Sequence, residues 1–367
     1  MRSLALTCAA CAALAAAPPA PADAQWGTLL KRAEQAESLH VSEAEEIQLG
    51  EAVSEKIRVR YGVVQDPAVH RYVTLVGTLL TQAGSRPNLP WHFIVLDTDG
   101  VNAFAAPGGF IHITRGALAL IQNEAELAAV LAHEATHVTG KHTVKAIQKS
   151  KAVQIGASET LQNKEVFSRV VDATTEVVLA GFGRSEELES DREALRLVNE
   201  VGYSPAALGA FLTRLTERNR ASTGKQGLFA SHPEMKERLE RLQQQIAQER
   251  LASTVLLDTR YRRFVSYESK PLADVPAAVE GAAGLASGGE EATPPPPPPS
   301  KKKGLGLGNL LKPGGSSEKK SAEVTGSGAS RGVDTERGAK GGGDPTMITV
   351  SISKAEVDAF RAEGKLR

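Results

Sequence analysis

Two histidines and a glutamate stand in the order His133-Glu134-Ala135-Thr136-His137, an H-E-x-x-H pattern. On a helix, a separation of four puts both imidazoles on one face a turn apart, where they can share one metal ion. Glu134 lies beside them as the candidate general base for metal-assisted hydrolysis of a peptide bond. Leu127, Ala128, Val130, Leu131, Ala132 and Ala135 make the surrounding segment apolar on most sides, which marks a buried helix. Imidazoles and a carboxylate buried there need polar partners, and a metal supplies one.

A catalytic zinc normally takes three protein ligands and keeps one position open for water. The third ligand must come from elsewhere, and the acidic cluster Glu186-Glu187-Leu188-Glu189-Ser190-Asp191, on a helix beginning near Arg184, is the candidate region. Periodicity alone does not choose among these carboxylates, any one of which also suits a solvated face. His142, five residues beyond His137, falls on another face of the helix and reads as a packing or supporting residue, not a ligand. His40, His70, His92 and His112 lack ligand spacing and read as ordinary surface or core histidines. His232-Pro233 has the form of a helix start, with proline in the first turn.

The elements that must position these residues are legible in part. Ser42 with Glu45 is a capping box opening a helix through Arg60, and Asp66-Pro67 opens a second. Three short apolar segments follow, Trp91–Asp97, Val101–Ala105 and Phe110–Thr114, separated by Asp99-Gly100 and Pro107-Gly108-Gly109; they predict a small antiparallel sheet. From Gly116 to about Arg250 the pattern is helical. Asn123 with Glu126 caps the metal helix, Ser204-Pro205 opens another, and the last carries Met235, Leu239, Leu242 and Ile246 on one face. The expected class is α+β, mainly helical.

Composition bounds the remainder. With 41% hydrophobic residues and 43 basic against 43 acidic side chains, the chain is foldable, and its zero formal charge gives no electrostatic case for nucleic acid. No apolar run reaches the ~18 residues of a membrane span. Residues 1–24 read as a secretory signal: Arg2, the apolar run Leu4–Ala17, then Ala22-Asp23-Ala24 as cleavage site, with a mature chain beginning near Gln25 and a short polar helix to Val41. Both cysteines, Cys8 and Cys11, fall inside that segment, so the mature chain would have no thiol chemistry; lipid attachment at Cys11 is the alternative. Residues 25–250 are expected to form the catalytic domain and 251–280 an extension of it. Residues 281–345, rich in Gly, Pro, Ser and Lys, are expected to be a disordered linker. Within 346–367, Ile348, Val350 and Ile352 alternate as a strand would, and Ser353 with Glu356 caps a final helix.

Several blocks together resemble one family. Glu45–Gly50, Asn102–Gly109, Glu124 and Glu126 ahead of His133–His137, and His142 look like the HtpX and BepA type of zinc metallopeptidase, which includes the CaaX prenyl proteases; the resemblance covers about residues 42–245. It implies a zincin-like domain holding one zinc per chain. Arg184, Glu187 and Asp191 match the family's R-x-x-E-x-x-x-D, which implies Glu187 as third ligand, with Asp191 orienting a ligand histidine and Arg184 supporting the group. A frame on Glu189 and Glu193 is the alternative, and it loses both Arg184 and the aspartate. His232 with Arg238 matches a family pair. The resemblance implies a histidine near the reacting carbonyl or plugging the metal, and an arginine supporting the transition state. It also implies that Asn102, Ala103, Phe104 and Ala105 form an exposed strand beside the zinc, to which an extended peptide adds by main-chain hydrogen bonds.

The reading is an exported zinc endopeptidase, in the periplasm rather than outside the cell or on a lipid anchor. Resemblance to periplasmic members implies unfolded or misassembled envelope proteins as substrates. The rival from another class is a chaperone-like binding module with a plugged site. Glu134 argues against it, because closed structural zinc sites usually have four protein ligands and no general base. Pro294–Pro299 followed by Lys301–Lys303 gives the tail the composition for peripheral contact with an anionic surface.

Overall fold

The computed structural model of the chain describes residues 41–149, 161–219, 235–271 and 343–367. The expected export segment, the stretch from Gln25 to His40, most of the Gly/Pro-rich segment and His232 lie outside the described residues.

Local signals place the first elements. Helix α1 (Glu43–Tyr61) opens with the expected capping box, Glu45 N donating to Ser42 Oγ and Ser42 N to the Glu45 carboxylate. Asp66 caps α2 (Pro67–Ala83), with Pro67 where its missing N–H costs nothing. Strands β1 (His92–Leu96), β2 (Ala103–Ala106) and β3 (Phe110–Thr114) follow, and a tight turn at Pro107–Gly109 joins the last two. Helices α3 (Arg115–Leu120), α4 (Glu124–Thr139), α5 (His142–Lys149), α6 (Lys164–Ala180), α7 (Arg184–Val201), α8 (Ala206–Asn219), α9 (Met235–Gln248), α10 (Asp258–Phe264) and α11 (Lys354–Glu363) complete the described elements. The class is the expected one, mainly helical α+β.

The sheet is mixed, not antiparallel throughout. Its order is β1-β3-β2, with β2 antiparallel to β3 (Ala103 opposite Ile113) and β1 parallel to β3 (His92 opposite Phe110). Two chain reversals separate β1 from β3, so they run the same way, and β3 inserts between its predecessors. Alternate residues serve two cores. Phe93, Val95, Ala103, Ala105, Ile111 and Ile113 face the larger, built with α2, α4, α7 and α8; Ile94, Leu96, Phe104, Ala106 and Phe110 face a smaller one with α1 and α6. Helix α4 runs through the middle, buried at every residue from Glu124 to Val138.

Buried carboxylates hold both ends of that helix. Glu124, at its first residue, accepts from Tyr72 Oη (2.9 Å), Tyr203 Oη (2.6 Å) and Arg260 Nε (2.6 Å), and Glu126 accepts from Arg214 at 2.7 and 3.0 Å. Negative charge there also complements the helix dipole. Beyond the last turn, Glu46 accepts from Arg86 at 2.8 Å and from Lys141 at 3.1 Å, while Arg86 also reaches the Val138 carbonyl. Burial works to raise the Glu46 pKa, but these two cations outweigh it and hold it low. Glu46 takes a further bond from Gly108 N, and α1 lies so close to that turn that a Cβ on Gly50 would sit 1.9 Å from the Pro107 oxygen.

The C-terminal residues depart from expectation. Ile348, Val350 and Ile352 form no strand: backbone carbonyls of their segment are taken by side chains, Pro345 O by Arg58 and Thr346 O by Gln65. Helix α11 then docks on the main core through Val357 and Phe360, 2% and 6% exposed. Arg260 donates to the Phe360 carbonyl at 2.7 Å and stacks 3.9 Å from its ring, which joins this segment to the Glu124 anchor. Phe360→Ala is expected to cost about 3–5 kcal/mol, read from denaturant unfolding of the full chain. A cost below about 1 kcal/mol, the size of an ordinary surface change, would show that the segment does not dock in solution.

Among the described residues no helix is long and apolar enough to cross a membrane.

Candidate metal centre

His133 and His137 project from one face of α4 toward α7, as their spacing requires. Helix α7 answers with Glu187 and Asp191, also four apart, on the buried stripe continued by Ala194, Leu195 and Val198. The Nε2 atoms of the two histidines are 3.1 Å apart, and the Glu187 oxygens lie 3.5 Å from the first and 3.4 Å from the second. A tetrahedral ion with bonds near 2.05 Å has ligand atoms roughly 3.3 Å apart. The three groups, with each histidine facing a different Glu187 oxygen, are close enough together to hold one metal ion.

Charge supports the same fit. Among the described residues, Glu134, Glu187 and Asp191 are buried around the guanidinium of Arg238, a formal excess of two negative charges. A divalent cation cancels that excess. Without one, a proton offsets part of it. Burial opposes charge on His133, but the hydrogen bonds it donates to Asp191 and Glu187 hold its pKa up at about 9. For Asp191 burial acts upward, and Arg238 and then His133 bring its pKa down to about 2.

Asp191 Oδ1 is 3.0 Å from His133 Nδ1, the far side of that ring from Glu187, which is where an orienting carboxylate belongs. Arg238, 1% exposed, donates to both Asp191 oxygens at 2.7 Å and reaches Glu187 at 2.9 Å. The structure thus places Arg238 against two carboxylates behind the histidines. It also lines, with Val130, His133, Glu134, Leu208, Phe211 and Leu212, a narrow apolar cleft beside the general-base candidate. Glu134 itself is 1% exposed.

The structure places two further groups differently from what their sequence suggests. Arg184, expected to support the ligand group, pairs with Glu237 on the exposed side of α7's first turn and so ties α7 to the helix that carries Arg238. Asn102, Ala103, Phe104 and Ala105, which run into the outer strand β2, are not exposed, since all four are buried; Thr143 donates to the Ala105 carbonyl, and Phe104 stacks on Tyr61. Ala-Phe-Ala-Ala is apolar toward both cores, so neither face is left for water. Glu189, the alternative ligand, has its side chain 44% exposed and lies 3.5 Å from His142 rather than among the ligand atoms. His70 and His112 are core histidines bonded to Val64 O and Ser54 Oγ, and His92 stacks on Phe110.

Sequence reasoning missed Phe182, whose ring stacks on His137 at 4.0 Å. Its one signal is an aromatic between two glycines, Gly181-Phe182-Gly183, in the bend that delivers α7.

A buried helix bearing two histidines, a glutamate from the neighbouring helix and a small sheet alongside define a zincin-like domain. Residues 67–246 match peptidase family M48, and this part of the chain belongs to that family. Over 210 residues, 54% of the chain, it is 27% identical to the beta-barrel assembly-enhancing protease of Escherichia coli K12, and the match takes in 43% of that protein. It is 28% identical over 197 residues to the mitochondrial metalloendopeptidase OMA1 of Schizosaccharomyces pombe, covering 52% of this chain and 57% of the relative. Metalloprotease YcaL of Escherichia coli is 27% identical over 163 residues, 43% of this chain and 63% of that one. The chain thus spans about half the length of the curated relatives it matches.

Proposed function

We propose that this protein is an exported zinc-dependent endopeptidase that hydrolyses unfolded or misassembled proteins of the cell envelope, most simply in the periplasm. The observation that carries the reading is the convergence of His133 Nε2, His137 Nε2 and the Glu187 carboxylate at tetrahedral spacing, with Glu134 on the same helix. Bound there, zinc would acidify a water and polarise the scissile carbonyl. Glu134 accepts the proton of that water and passes it to the leaving nitrogen. Asp191 fixes the ring of His133, and Arg238 holds the Asp191 carboxyl low while pairing with Glu187. His232, outside the described residues, is assigned by resemblance to the open position or the reacting carbonyl. Addition of a peptide along Asn102–Ala105 requires Thr143 to leave the Ala105 carbonyl.

Export rests on the signal-like composition of residues 1–24, and the envelope on the relative named as a beta-barrel assembly-enhancing protease. Residues 281–345 would act as a spacer that lets residues 346–367 return to the catalytic domain.

The test is metal analysis of the mature chain together with degradation of a chemically unfolded protein. One zinc per chain is expected, with activity abolished by a chelator and restored by stoichiometric zinc. Degradation that survives complete metal removal would sink the reading.

A further inference from the structure

The two histidines of the centre are supported differently. Behind His133 stands a carboxylate, Asp191; behind His137 stands another imidazole, with His137 Nδ1 and His142 Nδ1 3.0 Å apart. Only one of two facing ring nitrogens can carry the hydrogen between them. Since Nε2 of His137 is turned to Glu187 and His133, a neutral His137 that ligates through Nε2 carries its hydrogen on Nδ1. His142 Nδ1 must then accept, which puts the hydrogen of His142 on its own Nε2. That buried nitrogen has no hydrogen-bond partner among the described residues, and the nearest acceptor, Glu189 Oε2, lies 3.5 Å away on a side chain free enough to close the gap.

The ring of His142 has little freedom to do otherwise. It is 2% exposed, meets the face of Phe182 edge-on, and fills the space beside Gly140, where a Cβ would fall 2.6 Å from its Nε2. Glu189 reaches it from α7, two residues after Glu187, so one helix supplies a carboxylate to the ligand atoms and another to the far end of the chain behind them.

We propose that His142 and Glu189 form a hydrogen-bonded chain behind His137, His137 Nδ1–H to His142 Nδ1 and His142 Nε2–H to Glu189, which fixes the nitrogen that His137 offers the metal. His142 is thus a positioning residue, and the inference rests on the metal reading above. Outer partners of ligand histidines typically contribute 10–100-fold to metal affinity.

The test uses the full chain, zinc affinity by competition with a chelator, and the visible spectrum of the cobalt-substituted protein. His142→Phe keeps a ring but removes the acceptor, and is expected to weaken zinc about 10–100-fold and shift the cobalt bands. His142→Asn can place its carbonyl oxygen where Nδ1 stands, and should restore most of the affinity and the original spectrum. Glu189→Gln, at a partly exposed position where the substitution spares the fold, should weaken zinc about two- to tenfold. Equal affinities for His142→Phe and His142→Asn would overturn the proposal, whether both match the parent or both fall, since packing alone would then account for His142. An unchanged affinity in Glu189→Gln would overturn it as well, and that variant decides the matter if His142→Phe does not fold. A parent chain that takes up no zinc would instead sink the metal reading, and is recognised before any variant is made.

Discussion

Glu134→Gln is expected to retain its zinc and to lose hydrolysis by about 10²–10⁴-fold, the usual contribution of a positioned general base. The carboxylate is 1% exposed on α4, between two ligand candidates whose Nε2 atoms are 3.1 Å apart, and it borders the cleft lined by Phe211 and Leu212. An amide has nearly the same shape, so the helix and the three ligand groups keep their places. What it lacks is basicity: it cannot take a proton from water or return one to a leaving nitrogen. The substitution also removes one of three buried negative charges, which acts against the metal only modestly because Glu187 remains between the histidines. Metal content and turnover on an unfolded protein, measured on one preparation, separate the two effects. Turnover near that of the parent, with zinc bound, would remove Glu134 from the mechanism and with it the proposed hydrolysis.

The parts of this architecture written locally were legible in the sequence. Ser42 with Glu45, Asp66 with Pro67 and Asn123 with Glu126 each announce a helix start by a bond spanning three residues or fewer, and each helix begins where those residues place it. The spacing of His133 and His137 is likewise a local fact. What escaped depends on elements distant in the chain. Parallel pairing of β1 with β3 follows from where β3 inserts, which no strand's own residues record. Burial of Asn102–Ala105 follows from α1 and α6 closing over the second face of the sheet. Arg184 and Arg238 are both arginines near acidic groups in sequence terms. Only the packing of α9 on α7 sends one outward to Glu237 and buries the other against Asp191. The docking of α11 was hidden because its two buried anchors, Val357 and Phe360, lie beyond a stretch whose composition signals no core at all.

Choice of the third ligand is where periodicity fell short, and substitution at Glu187 and Glu189 resolves it with a large effect. Residues two apart on a helix point about 200° away from each other, so only one of the pair can face α4 squarely. Glu187 does, fully buried with its oxygens 3.5 and 3.4 Å from the two histidine nitrogens, whereas Glu189 has a side chain 44% exposed and meets only the outer edge of His142. Glu187→Ala deletes the proposed third ligand and its carboxylate together, leaving two imidazoles and Asp191, whose oxygens are committed to Arg238 and His133 Nδ1. Zinc affinity should fall by more than the roughly 100-fold upper range seen for outer partners, so that the purified variant carries little metal. Glu189→Ala should purify with zinc near one per chain, its affinity lowered by about tenfold. The variants also differ in what they do to the apo protein: loss of Glu187 relieves the crowding of buried carboxylates around Arg238, so a well-folded, metal-poor chain is the expected product rather than an aggregate. Zinc retained in Glu187→Ala and lost in Glu189→Ala would move the third ligand to Glu189, and the side chains would have to rearrange around His142 to allow it.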